Sequence, residues 1–168
     1  MYYINCFFIY SIFGYFIETI ISFFLNSSFK SGILYGPWTP VYGIGAVVIL
    51  FISNYLFKNL HMNRLLETII MFLVVAIVLS FIEALGGVLI EKIFNITFWD
   101  YTSHKFNIGK YISLEMSLVW AISSIIFIYI IHPLFKKLIL KIPSWLTIFL
   151  IILFLFDSFK TFFNKEKL

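Results

Sequence analysis

Four acidic residues interrupt stretches that are otherwise almost wholly apolar: Glu18, Glu83, Glu115 and Asp157. An ionisable side chain near the centre of a membrane-spanning helix costs about 2.5–3.5 kcal/mol on insertion scales, so each needs a use in packing or in chemistry. The chemistry open to such a carboxyl is proton carriage, or the binding of a cation or polar substrate. Ser11, Gly14, Glu18 and Ser22 recur at spacings of three and four, which puts them on one helical face. Ala76, Ser80, Ala84 and Gly87 form a second stripe, with Glu83 at its edge and Glu91 further along. Stripes of small residues let membrane helices approach closely. Glu18 and Glu83 are therefore expected to face each other or a shared polar cavity; the plain alternative is that both only fix helix packing. Glu115 stands about one turn from a helix start, within reach of headgroup water. Asp157 is expected to pair with Lys160 three residues on.

Two longer connections carry the other candidates. The first, residues 26–40, contains Gly32-Ile-Leu-Tyr-Gly-Pro-Trp-Thr-Pro40; the second, residues 91–110, contains Phe98-Trp-Asp-Tyr-Thr102 and Phe106-Asn-Ile-Gly109. Gly36-Pro37, Pro40 and Gly43 fix backbone conformations that an ordinary span does not need. Irregular backbone at membrane depth is tolerated only where protein buries it or where it lines a cavity. Asp100 and Asn107 join Glu18 and Glu83 as candidates for substrate or proton binding. Gly14, Gly36, Pro37, Pro40, Tyr42, Gly43, Glu91, Trp99 and Tyr101 are expected to build the loop architecture, with Gly36, Pro37, Trp99 and Asp100 in one packed group. Tyr35, Trp38, Tyr42, Trp99 and Tyr101 also fit an interfacial aromatic belt.

These residues must be positioned by helices in a bilayer. The 168 residues are 62% hydrophobic and 12% charged, with mean hydropathy +1.02, against roughly 45–50% apolar and about 25% charged in soluble domains. A span needs about 20 mostly apolar residues. The pattern predicts helices over 3–25, 41–57, 65–90, 111–131 and 145–163, the first ended by Asn26-Ser27-Ser28 and the fourth stopped by His132-Pro133. The fold class is all-α: a polytopic membrane bundle of about five transmembrane helices, one integral domain over 1–168. The first helix is read as retained, because Glu18 interrupts it and no basic segment precedes it. If every helix spans, both unusual connections share one face. That side carries Lys30, Lys92, Lys105, Lys110, Lys160, Lys165 and Lys167, against Lys58, Arg64, Lys136, Lys137 and Lys141 on the other, a weak tilt toward a cytoplasmic motif side. The basic residues sit between or beside apolar runs, where lipid headgroups meet them, and no soluble basic face exists for nucleic acid. Cys6 is the single cysteine, and His61, His104 and His132 stand apart, so neither a disulfide nor a metal site is expected. Heavy use of Phe, Ile, Lys and Asn with sparse Ala suggests an AT-rich bacterial genome, and the expected location is the bacterial plasma membrane.

The stretch Gly32-Ile-Leu-Tyr-Gly-Pro-Trp-Thr-Pro-Val-Tyr-Gly-Ile-Gly45, followed by Trp99-Asp-Tyr-Thr and Phe106-Asn-Ile, resembles the ABC-transporter type IV family of small bacterial membrane proteins, called CmpB-like. Gly14, Glu18, Glu83 and Glu91 match that family's other recurring positions. The resemblance runs from about Ile12 to Trp120. Two departures stand out. Ser31-Gly32 replaces the family's Arg-Gly, and Asn107-Ile-Gly109-Lys110 shifts a glycine and replaces an arginine, with Lys110 the nearest substitute. The resemblance implies a permease-like membrane component that handles an unknown small substrate. The chain holds no phosphate-binding Gly-rich loop of an ATPase, so that partner acts in trans; membrane lipid and a homo-oligomer complete the expected partners. No cofactor is implied. The competing readings are a structural or accessory membrane protein, and a membrane-embedded enzyme on a lipid substrate with Glu18 or Glu83 as its acid or base.

Overall fold

The computed structural model describes residues 1–24, 32–59 and 62–164. Leu25 and the Asn26-Ser27-Ser28 stop, Lys30, Ser31, His61, Lys165 and Lys167 lie outside the described residues. The helices are α1 (Tyr2–Phe24), α2 (Pro40–Asn59), α3 (Arg64–Phe94), α4 (Leu114–Ile126), α5 (His132–Leu140) and α6 (Ser144–Phe163), with two-residue strands β1 (Asn107–Ile108) and β2 (Ile112–Ser113) ahead of α4. Among the described residues, four helical stretches are long and apolar enough to cross a membrane, and α2 supplies a shorter apolar one. The all-α membrane bundle of about five helices stands.

Local chemistry explains most ends. Pro40 opens α2 at a position where a missing N–H costs nothing. Asn63 caps α3, its side chain accepting from Leu66 N–H at 2.8 Å, and Asn95 closes that helix in the left-handed conformation, φ 54°.

The fourth span departs from the sequence expectation at both ends. Its start moves from 111 to Leu114, because residues 107–113 form a small antiparallel hairpin around Gly109 at φ +65°, after which Ser113 caps α4 by accepting from Met116 N–H at 3.2 Å. Its end is not at Pro133. One π-helical turn, Phe127–Ile131, precedes the proline and the helix runs on as α5 to Leu140. A proline ring clashes with the carbonyl four residues back and supplies no N–H. In the wider turn His132 N–H bonds Phe127 O five residues back, and this register shift accommodates the ring.

The chain divides into two compact units, residues 1–47 with 135–168, and residues 48–134. In the first, α1 packs on α6. Phe154 meets Phe7, Phe8 and Trp38 at ring separations of 5.4, 5.9 and 5.9 Å. The buried side chains Asn5 and Thr147 satisfy each other, Thr147 Oγ1 donating to Asn5 Oδ1 at 2.6 Å. The small-residue stripe of α1 works as packing logic predicts: Gly14 receives the Tyr42 ring, and Gly43 lies against Ser11 and Phe7.

In the second unit α3 packs on α4 through Met71, Val75, Leu79 and Ala121, all buried. Ser80 and Ser117 hydroxyls bond at 2.6 Å, and Thr68 bonds Tyr129 at 2.8 Å. Leu73, Ile77, Phe81, Leu85 and Leu89 are exposed at four-residue spacing on α3. A large apolar stripe turned outward is the reverse of a soluble helix and suits acyl chains.

Candidate functional site

In the second unit, polar chemistry gathers along the C-terminal half of α3. Glu83 is only 6% exposed. Its Oε1 accepts from Tyr101 O–H at 2.6 Å and its Oε2 from Trp120 Nε1–H at 2.8 Å. The carboxyl therefore ties α3 to the 95–113 segment and to α4. Two donors on two oxygens satisfy the buried group and leave each oxygen a further lone pair for a proton, a cation or a polar ligand.

Two turns along α3, about 12 Å at 1.5 Å per residue, Glu91 holds a second tie. Lys110 Nζ donates to Oε1 at 2.5 Å and Tyr111 O–H to Oε2 at 2.6 Å, and Lys110 also reaches Thr97 Oγ1 at 2.8 Å. The hydrogen bond that Lys110 donates to Glu91 holds its ammonium above the usual lysine range. Burial first, and then the Glu91 carboxylate, push the Tyr111 phenol up as well. Between the two acids, Gly87 makes room for Tyr111: a Cβ there would lie 2.5 Å from the ring. Trp99 stands edge-on to Tyr111 at 6.1 Å, with its buried Nε1 unpartnered among the described residues.

The hairpin makes this return possible. Tyr101 N–H donates to Lys110 O at 2.8 Å and Leu114 N–H to Phe106 O at 2.9 Å, so the segment doubles back and presents Tyr101, Lys110 and Tyr111 to one helix. Asp100 and Asn107 serve the turns themselves. Asp100 Oδ1 accepts from Thr102 Oγ1 at 2.7 Å and Thr102 N–H at 2.8 Å, which holds the exposed Asp100 carboxyl below its usual range. Asn107 donates to Gly109 O at 2.9 Å and is exposed. Glu115 lies beside the hairpin, accepting from Phe106 N–H at 3.4 Å with His104 Nδ1 at 3.9 Å.

The first unit holds a carboxylate whose role the local sequence misreads. Asp157 does not pair with Lys160. Its Oδ1 accepts from Tyr35 N–H at 3.1 Å, and its Oδ2 from Gly36 N–H at 2.8 Å and Trp38 Nε1–H at 2.6 Å. Lys160 Nζ instead lies over the Tyr35 ring at 4.7 Å from its centroid. Three N–H donors, preset by a loop that would otherwise leave them unsatisfied, compete better than one mobile ammonium at the helix surface. Pro37 is exposed beside them, Pro40 begins α2, and Thr39 N–H donates to Ser11 O at 3.0 Å. Glu18 is half-buried on α1 in this unit.

The sequence profile of the family described as "Putative ABC-transporter type IV" matches residues 5–162. The chain belongs to this family. Comparison with curated proteins and with solved structures gives no match. The family places the chain among ABC-transporter-related membrane proteins. Within it, the residues brought together are Glu83 with Tyr101, and Glu91 with the Lys110 that stands near the family's arginine. Trp120, Tyr111 and Asp157 are the partners that sequence reasoning did not place. Trp120 follows Glu83 by 37 residues, and no pattern within either helix links them.

Proposed function

We propose that the chain is a permease-like membrane subunit of an ABC-type transporter in a bacterial plasma membrane, working with an ATP-hydrolysing partner in trans, and that Glu83 is the group through which a proton or a polar cargo is handled. The observation that carries this reading is the Glu83 geometry: a buried carboxyl inside a span, held by one donor from the loop segment and one from a neighbouring span. Any event that protonates or ligates it alters ties to two elements at once, which is how a local charge change becomes a movement. The test is purification of the tagged chain from its native membranes, followed by vanadate-sensitive ATP hydrolysis in the eluate. Hydrolysis that depends on this chain supports the reading. A pure chain with no nucleotide-hydrolysing partner refutes it.

Two observations favour an accessory, structural role instead. Asp157 satisfies a loop of its own unit, and Asn5 and Thr147 satisfy each other, so polar groups in these helices can serve packing alone. Under that reading Glu83→Gln leaves every activity of the complex intact.

A further inference from the structure

The motif loop of the first unit turns its donors inward onto a single carboxylate. Tyr35 and Gly36 contribute successive backbone N–H groups and Trp38 contributes its indole N–H. Successive backbone N–H groups aimed at one point form a nest, a concavity that binds anions. The donors are set by the loop rather than drawn in by Asp157. Trp38 N–H bonds Gly36 O at 2.9 Å across Pro37, and at Gly36 a Cβ would lie 2.6 Å from the indole, so the indole folds against the glycine and aims Nε1 where the two amides already point. Asp157 is 7% exposed, whereas Tyr35, Pro37 and Lys160 are exposed around it. A positive charge therefore stands beside the nest without being spent on its occupant.

From this we infer that the 35–38 loop is an oxyanion-binding nest and that Asp157 is its internal ligand, holding the place that the phosphate or carboxylate of an external ligand takes. Two oxygens of such a group can receive the same three N–H donors that Oδ1 and Oδ2 of Asp157 receive now. The entering ligand exchanges with Asp157, and Lys160 supplies the balancing charge. The inference is independent of the Glu83 reading, since it concerns residues of the other unit.

The test uses the full chain in phosphatidylcholine nanodiscs, following the Trp38 indole N–H by NMR with labelled tryptophan. Asp157→Asn keeps the shape, removes the charge and turns an amide into the nest, weakening the internal competitor. Inorganic phosphate or acetate should shift the Trp38 signal saturably, with half-saturation at least about tenfold lower in the variant than in the wild type, a factor of ten being about 1.4 kcal/mol. Sodium chloride at equal ionic strength is the control. A second arm replaces part of the phosphatidylcholine with phosphatidylglycerol in phosphate-free buffer. A shift in that arm alone assigns a lipid headgroup, and a shift with phosphate or acetate alone assigns a soluble ligand. If none of the three anions shifts Trp38 beyond the chloride response in Asp157→Asn, the loop is no oxyanion site. Should that variant fail to fold, the wild-type titration decides alone: a saturable shift upholds the nest, and a chloride-like response overturns it.

Discussion

Gly86 and Gly87 are adjacent on α3, yet replacing each with alanine should move stability in opposite directions. At Gly87 an added Cβ would meet Tyr111 Cδ1 at 2.5 Å and Cε1 and Cγ at 2.8 Å, where ordinary carbon contacts are about 3.5–4.0 Å. The ring must retreat by about an ångström, and it is not free to do so. Tyr111 is 6% exposed, its hydroxyl is bonded to Glu91, and Trp99 stands against it. Overpacking of this kind costs about 1–3 kcal/mol, offset by about 1 kcal/mol from alanine's better helix propensity. The net loss is about 0–2 kcal/mol, or up to ~8 °C in melting temperature at about 2–4 °C per kcal/mol for a chain of this size. At Gly86 the nearest atom is Trp99 Cη2 at 3.9 Å, an ordinary contact, so only the propensity gain remains. Thermal unfolding of the two variants in one detergent, followed by tryptophan fluorescence, checks the sign. A third variant, Gly87→Ala in a Tyr111→Ala background, should lose the penalty, since the clash has no partner. If Gly87→Ala is as stable as Gly86→Ala, the packing of Tyr111 against α3 is wrong.

The other expected outcomes concern the polar ties. Tyr101→Phe and Trp120→Phe each leave one oxygen of buried Glu83 without its donor, a loss of about 1–3 kcal/mol, and their effects should not add, because both act on one carboxyl; additive melting shifts would contradict a shared site. Thr147→Val leaves Asn5 Oδ1 without its donor and should destabilise, while Asn5→Leu with Thr147→Val should recover part of the loss, measured by the same unfolding. Lys110 has its folded pKa raised by Glu91, so its stabilising tie is complete below the unfolded lysine value of about 10.4 and is lost only as pH climbs through the higher folded value. Amine acylation at pH 9 should accordingly be slower at Lys110 than at exposed Lys105, and Glu91→Gln should abolish the difference. Asp100 runs the opposite way: its folded pKa is depressed by Thr102, so its turn is intact above about pH 4 and opens as pH falls through the lower folded value, which amide exchange at Thr102 would register.

Much of the fold is legible in the sequence because hydropathy is a property of whole segments. Spans predicted at 3–25, 41–57, 65–90 and 145–163 fall within a few residues of α1, α2, α3 and α6. The fourth span departs from expectation at both ends for reasons a local pattern does not carry. Pro133 stops a regular helix, but one π-helical turn lets the chain pass it. Gly109 between Asn107-Ile and Ile112-Ser is a hairpin signal, and the apolar run that follows masks it. The candidate site divides in the same way. Glu83 and Glu91 stand out as acids beside a stripe of small residues, and Tyr101 belongs to the Trp99-Asp-Tyr-Thr motif. Their partners Trp120 and Tyr111 do not stand out, since an aromatic residue in a membrane helix has an interfacial explanation ready. Asp157 shows the limit most sharply. Lys160 at three residues is the partner that sequence proposes, while the true donors lie about 120 residues away and exist only once the 35–38 loop has folded.

The most direct test of the account is the rate of vanadate-sensitive ATP hydrolysis by the complex purified through this chain, reconstituted in nanodiscs and compared between wild type and Glu83→Gln. The amide preserves the size of the side chain and can still accept from Tyr101 or Trp120, but it cannot carry a proton or a charge. The expected result is an intact complex, of unchanged composition and melting temperature within a few degrees, whose hydrolysis no longer responds to conditions that drive transport in the wild type. Wild-type coupling retained in a fully assembled Glu83→Gln complex would contradict it.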